Sequence, residues 1–195
     1  MVDAFDPSSH DAPVTYVPDF ISDSGSLFTL LWDELAWVKH DDRPRREYWQ
    51  NDYNRPYTYG SGIGARTYEP QPHNVLITQV RDMLAAETGV YYEGCFLNGY
   101  DGARQHLGWH ADDDPNIDHT KPIAVISIGE AREIWFRPKV GRDERVPGDV
   151  RKQMLEPGSL LLMHPGMQDT HEHRIPKSAR ACLPRISLTF RGLVS

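Results

Sequence analysis

Apolar side chains recur at helical spacing twice in the first ninety residues, and beyond that the pattern becomes strand-like. After Pro18, Phe28, Leu31, Leu35 and Val38 follow the capping candidates Ser22, Asp23 and Ser24, which predicts an amphipathic helix. A second helix is predicted from the region of Pro72 to Asn74, with Leu76, Val80, Met83 and Leu84 on one face and Gly89 as its left-handed stop. Residues 39–71 hold an aromatic and basic stretch without a sustained period, which reads as loop and hairpin and as the place for a substrate lid. After Gly89, short runs separated by turn signals predict strands at Tyr91 to Tyr100, Ile123 to Ile128, Ile134 to Arg137, Met154 to Leu155, Leu160 to Met163 and Arg185 to Arg191. Helices followed by a β-rich half predict a mainly β (α+β) domain, a sandwich or jelly roll with N-terminal helices, rather than a doubly wound parallel sheet.

Length and composition narrow this picture. A chain of 195 residues without a dividing linker is expected to form a single domain, 1–195, with a jelly-roll core over 90–195 and a disordered stretch over 1–15. Two cysteines, Cys95 and Cys182, supply neither a disulfide frame nor a cysteine zinc site, which fits a reducing compartment. The polar start and the absence of a long apolar run predict a protein that is neither secreted nor membrane-spanning. The expectation is a cytoplasmic protein, or a nuclear one in a eukaryote. A net charge of -7 argues against tight nonspecific nucleic-acid binding by the whole surface, although a local basic face is compatible with it. No glycine-rich phosphate loop is present.

The chemistry lies in a few polar positions. His110-Ala111-Asp112 sets an imidazole and a carboxylate on one face of an extended chain, within reach of one metal ion. Such a pair is a weak signal alone among nine histidines. Downstream stand His171 and His173, which share a face. Beyond them the strand Arg185 to Arg191 splits by parity into Arg185, Ser187, Thr189 and Arg191 on one side and Ile186, Leu188 and Phe190 on the other. One reading is an amphipathic strand with its polar face in water. The sharper reading packs the apolar face on helices and turns the arginines inward, where two planar forks could hold a dicarboxylic acid such as 2-oxoglutarate. Two histidines and a carboxylate leave coordination positions open for such a cosubstrate and for O₂, as in non-haem Fe(II) oxygenases. Zinc hydrolysis competes for the same ligands but gives no reason for inward arginines.

With these motifs in order, namely Asn98-Gly99-Tyr100, His110-Ala111-Asp112, the histidine segment before Pro176 and Arg185 to Arg191, the chain resembles the AlkB family of Fe(II)- and 2-oxoglutarate-dependent dioxygenases from about Tyr16 to Arg191. The resemblance implies a double-stranded β-helix with a nucleotide-recognition lid over 39–71. It implies His110, Asp112 and His173 as iron ligands, with His173 preferred to His171 because the ligand stands just before the proline turn. Asn98, Tyr100 and Arg185 would hold the distal carboxylate of 2-oxoglutarate, with Ser187 and Thr189 on the same wall, and Arg191 would brace either the other end of the cosubstrate or the Asp112 carboxylate. Ser187 departs from the family pattern, which has asparagine there. Tyr57 and Tyr59 resemble the lid that covers a flipped base, and Asp113 and Asp114 match positions near its edge. Arg45 and Arg137 are selected as phosphate contacts ahead of Arg43, Arg142 and Arg145, which lie among acids.

The activity implied is oxidative removal of N-alkyl groups of the 1-methyladenine and 3-methylcytosine type from DNA, with RNA as a further candidate. It would consume O₂, release formaldehyde, succinate and CO₂, and act on single-stranded or short substrates as a monomer. The alternatives are the same chemistry on a tRNA base, a protein or a small molecule, or a noncatalytic jelly-roll module that binds a metal.

Overall fold

The computed structural model describes residues 12–39, 45–59, 65–139 and 150–195. In chain order the elements are β1 (Val14–Val17), α1 (Ser24–Glu34), β2 (Val38–Lys39), β3 (Arg46–Asn51), β4 (Tyr57–Tyr59), β5 (Arg66–Tyr68), α2 (Val75–Thr88), β6 (Gly94–Tyr100), β7 (Leu107–His110), β8 (Ile123–Gly129), β9 (Arg132–Pro138), β10 (Arg151–Leu155), β11 (Ser159–Met163), α3 (Met167–Thr170), β12 (His171–Ile175) and β13 (Arg185–Arg191).

The strands form a seven-stranded sheet, β1-β11-β8-β13-β6-β3-β2, a four-stranded sheet, β10-β9-β12-β7, and the hairpin β4-β5. Every pairing is antiparallel. This is the jelly roll expected from the strand spacing, in the double-stranded β-helix form that the family resemblance implied. No described helix is long and apolar enough to cross a membrane.

The large sheet owes its two-sidedness to strand parity. Ile186, Leu188 and Phe190 of β13, with Leu97 of β6 and Ala124, Ile126 and Ile128 of β8, pack in one cluster with Leu31 of α1 and Ile77, Val80 and Leu84 of α2. The opposite face, carrying Arg185, Ser187, Thr189 and Arg191, is buried as well, toward the smaller sheet. The inward reading of the arginines is therefore the observed one.

Both helices start and stop near the predicted places. Asp23 caps α1 by accepting from the Ser26 N–H, and Asn74 caps α2 by accepting from Leu76 and Ile77. Gly89 closes α2 at φ 70°, a conformation glycine adopts without a Cβ penalty. Four expectations need correction. Val38 belongs to β2 rather than to α1, because Leu35 already has extended backbone at the helix end. Met83 is exposed, and Ile77 takes its place on the buried face of α2, one helical turn before Val80 and two before Leu84. The lid region contributes β3, which is buried along nearly its whole length and pairs with β6 from Arg46↔Gly99 to Asn51↔Gly94, so part of 39–71 is core sheet. Residues 12–15, expected to be disordered, begin the fold: Ala12 is buried and β1 pairs with β11.

Candidate metal centre

Two strands, β7 and β12, and the segment that follows β7 carry the site. His173 of β12 lies directly across from His110 of β7 in the antiparallel register, and their ring centroids are 4.2 Å apart. Asp112 follows two residues beyond the end of β7. One ligand atom each from His110, Asp112 and His173 can be chosen so that all lie within 4.8 Å of one another. His171 faces inward too, but its register partner is Pro138 and its Nδ1 lies 2.9 Å from the Thr170 hydroxyl, which separates it from the cluster. Register thus distinguishes two histidines that parity could not.

The donors are set up for a cation. The His110 Nδ1 lies 2.9 Å from the Gly108 carbonyl, which can only accept, so the proton sits on Nδ1 and Nε2 carries the lone pair that a metal would use. Asp112 is 2% exposed; its Oδ2 accepts from Arg191 at 3.0 Å, while its buried Oδ1 has no hydrogen-bond partner. Burial alone would raise its pKa, but the Arg191 guanidinium and then His110 and His173 outweigh that and hold it down to about 2. Burial, with repulsion from His110 behind it, pushes His173 down to about 3, and burial lowers His110 as well. At neutral pH the cluster is a carboxylate and two neutral imidazoles, the protonation state a divalent metal requires. Of the two roles open to Arg191, the structure supports the brace on Asp112.

A cavity opens onto this cluster, lined by Arg45, Tyr57, Tyr68, Phe96, Asn98, Leu107, His110, Asp112 and Arg191. Its aromatic wall is a packed group: Tyr57 and Tyr68 face each other across the β4-β5 hairpin, and Tyr68 meets Phe96 edge-on at 4.8 Å. Tyr57 therefore both packs the hairpin and lines the cavity. Tyr59 ends β4, and its side chain lies outside the described residues.

The cosubstrate positions lie deeper. Register sets Ser187 against Asn98 and Arg185 against Tyr100. Arg185 is completely buried and its Nε donates to Ser127 Oγ at 2.8 Å, yet neither of its two terminal nitrogens makes a hydrogen bond. The neighbouring Tyr100 hydroxyl is likewise buried and unbonded. Asn98 accepts from Arg45 Nε at 2.6 Å through its carbonyl oxygen, which turns its amide N–H groups away as donors for another acceptor.

Of the two arginines expected as phosphate contacts, Arg45 lies inside the fold and Arg137 on its surface. Arg45 is buried, with Nε on Asn98, Nη1 on the His106 carbonyl and Nη2 3.1 Å from the buried Glu47 carboxylate. Arg137 points off the outer face of the small sheet, pairs with Glu172 at 2.7 Å and stacks on Trp109. Asp113 pairs with Lys139, and Asp114 folds back on Asn116; neither lines the cavity. Arg43, Arg142 and Arg145 lie outside the described residues.

Sequence reasoning missed Phe96, Tyr68, Glu47 and Gln168. Phe96 carried a usable signal, since it shares parity with Asn98 and Tyr100. Tyr68 needed the hairpin register, and nothing local marks Glu47 or Gln168.

A jelly roll with two histidines and one carboxylate at the mouth of its inner cavity defines the facial-triad metal class. Residues 36–191 match the model of the 2OG-Fe(II) oxygenase superfamily. The chain is 33% identical over 153 residues to DNA oxidative demethylase ALKBH2 of Mus musculus, covering 77% of this chain and 62% of that protein. It is 30% identical over 194 residues to alpha-ketoglutarate-dependent dioxygenase alkB homolog 3 of Bos taurus, covering 91% and 65%. The chain thus spans less than two thirds of the length of these curated relatives. The solved structure of OsALKBH1 superposes with a TM-score of 0.63 at 16% identity, covering 93% of this chain and 97% of that one, which supports the fold. The chain belongs to the 2OG-Fe(II) oxygenase superfamily and, within it, to the AlkB family.

The residues present fit both groups that this family binds. The unbonded Asp112 Oδ1 beside two neutral imidazoles suits Fe(II), and the unbonded Arg185 fork beside the Tyr100 hydroxyl suits the distal carboxylate of 2-oxoglutarate.

Proposed function

We propose that this chain is an Fe(II)- and 2-oxoglutarate-dependent dioxygenase that removes N-alkyl groups from nucleic-acid bases, with 1-methyladenine and 3-methylcytosine in single-stranded or short DNA as its substrates and RNA as a further one. The observation that carries this reading is a single cavity lined both by metal-ligating side chains and by the rings of Tyr57, Tyr68 and Phe96. A purine or pyrimidine is the kind of planar group that such rings accept. Relatives bearing the name DNA oxidative demethylase support the same substrate class.

When bound, iron and 2-oxoglutarate supply the oxidation of a C–H bond by O₂, with succinate and CO₂ as coproducts. The work of the chain is positioning and exclusion of water. His110, Asp112 and His173 hold the metal, with the His110 tautomer set by Gly108 and the Asp112 carboxylate set by Arg191. Arg185, with Tyr100 and the Asn98 amide, holds the distal carboxylate of the cosubstrate. Tyr57, Tyr68 and Phe96 orient the base so that its N-alkyl carbon faces the metal. Hydroxylation of that carbon gives a hemiaminal, which loses formaldehyde and restores the base. Arg45, fixed by Asn98, His106 and Glu47, lines the cavity as a hydrogen-bond donor for the base edge.

The test is turnover with Fe(II), 2-oxoglutarate and ascorbate on methylated oligonucleotides, following succinate and loss of methyl mass together, with Asp112→Ala as the control. Coupled succinate and methyl loss is the expected result. Succinate without methyl loss would keep the oxygenase and discard the substrate, and neither product from folded, iron-loaded protein would discard both.

A further inference from the structure

Between β11 and β12 the chain makes one short helical turn, α3, entered through Gly166 in the left-handed region at φ 84°. That turn folds Gln168 inward, where the residue is 6% exposed. Its carbonyl oxygen accepts the backbone N–H of Asp112 at 2.9 Å, and its amide nitrogen donates to the thioethers of Met167 at 3.1 Å and Met163 at 3.6 Å. The orientation of this amide follows from its partners. A backbone N–H only donates, so Oε1 faces Asp112, and a thioether only accepts, so Nε2 faces the methionines.

His110 and His173 are tied to each other by strand register. Asp112 has no such support, because it lies two residues past the end of β7, where the chain has left the sheet. Gln168 supplies the acceptor that strand pairing no longer provides. Arg191 holds the far end of the same residue through Oδ2, so Asp112 is gripped at its backbone from α3 and at its carboxylate from β13, with Oδ1 left over. The turn that carries Gln168 runs directly into β12 and His173.

We propose that Gln168 is a positioning residue for the metal centre, fixing Asp112 in ligating geometry by tying the loop after β7 to the turn that delivers His173. The proposal rests on the metal-centre reading above and is independent of what the substrate is. Losing a contact that orients a metal ligand typically costs 10–100-fold in metal affinity, and a loss of about that size is expected here.

The test uses the full chain, Mn(II) as a redox-inert probe and titration calorimetry, without cosubstrate or nucleic acid. Gln168→Met keeps the shape of the side chain and removes the acceptor, and it should bind Mn(II) about 10–100-fold more weakly, with an altered visible spectrum of the Co(II) form reporting a changed ligand set. Met163→Leu disturbs the same packing but leaves the bond to Asp112, so it should bind Mn(II) about as tightly as the wild type. An unchanged affinity in Gln168→Met, or an equal loss in Met163→Leu, overturns the proposal. Amide hydrogen exchange on the metal-free wild type keeps the question open to test even if Gln168→Met does not fold. The Asp112 amide should be protected, and exchange at the rate of an open loop overturns the proposal. Failure of the wild type to bind Mn(II) at all would remove the metal reading and this inference with it, whereas failure to demethylate any oligonucleotide would leave the inference standing.

Discussion

Arg185→Met should make the protein more stable and unable to hold its cosubstrate. Burial in the first place, with Arg132 adding repulsion and Tyr100 offsetting part of it, pushes the Arg185 guanidinium down from its ordinary 12.5 to about 10. That difference corresponds to about 3 kcal/mol held against the charged form in the ligand-free protein. Methionine removes this cost along with the bond to Ser127, which contributes about 1 kcal/mol, leaving a net gain of about 2 kcal/mol. For a chain of this size the melting temperature should rise by about 4–8 °C. The same substitution removes the planar fork for the distal carboxylate of 2-oxoglutarate. Truncating one partner of a buried ion pair costs about 2–5 kcal/mol, so affinity should fall at least ~30-fold. Thermal melts with and without 2-oxoglutarate, together with calorimetric titration of the Mn(II) form, measure both effects. A variant that melts below the wild type, or that keeps the cosubstrate-induced shift, would refute the assignment of Arg185 as an uncompensated cation awaiting a carboxylate.

Other outcomes follow from the same geometry. In metal-free protein His173 is neutral when folded, with its pKa pushed down to about 3, but gains a proton below about 6.5 when unfolded. The unfolded chain then binds more protons, so stability should fall as pH drops from 6.5 toward 4. Asp112, lowered to about 2, loses its contribution only below its unfolded value of 3.8, so it should not affect this window. Urea denaturation with chelator present should show a flatter pH profile for His173→Gln. Tyr57→Leu should lower methyl removal at least ~10-fold with a smaller loss of substrate-free succinate formation, because the ring lines the cavity and meets the metal site only through the Arg191 guanidinium, 5.5 Å from its centroid. Equal loss of both products would place Tyr57 in the metal or cosubstrate machinery instead. Asn74→Ala removes the side chain that caps two N–H groups of α2, and should cost about 1 kcal/mol, or about 2–4 °C in melting temperature, with no change in Mn(II) affinity.

The elements legible in the sequence were those whose burial writes a local period. The caps and stops of α1 and α2 involve contacts within a few residues, and β13 shows its two faces in alternate positions, so Ile186, Leu188 and Phe190 could be separated from Arg185, Ser187, Thr189 and Arg191 before any fold was known. The metal ligands were legible through their motif and its resemblance rather than through hydrophobicity. Their strands, β7 and β12, turn polar side chains inward and so lack the apolar alternation of an ordinary core strand. For the same reason β3, written Arg46–Asn51, read as loop although it is almost wholly buried.

What the sequence by itself determined, then, is the set of chemical groups and the faces on which helix and strand periods place them, since those depend on neighbours at fixed short spacing. The tertiary structure decided which distant groups meet. Antiparallel register chose His173 over His171 by setting it opposite His110. Sheet pairing drew Arg45 inside onto Asn98 and Glu47, away from the surface role its sequence neighbours suggested. The fold also brought Gln168 to Asp112 across 56 positions of chain. Contacts of that span are formed by closure of the β-helix, and no local pattern of residues records where such closure will bring two strands together.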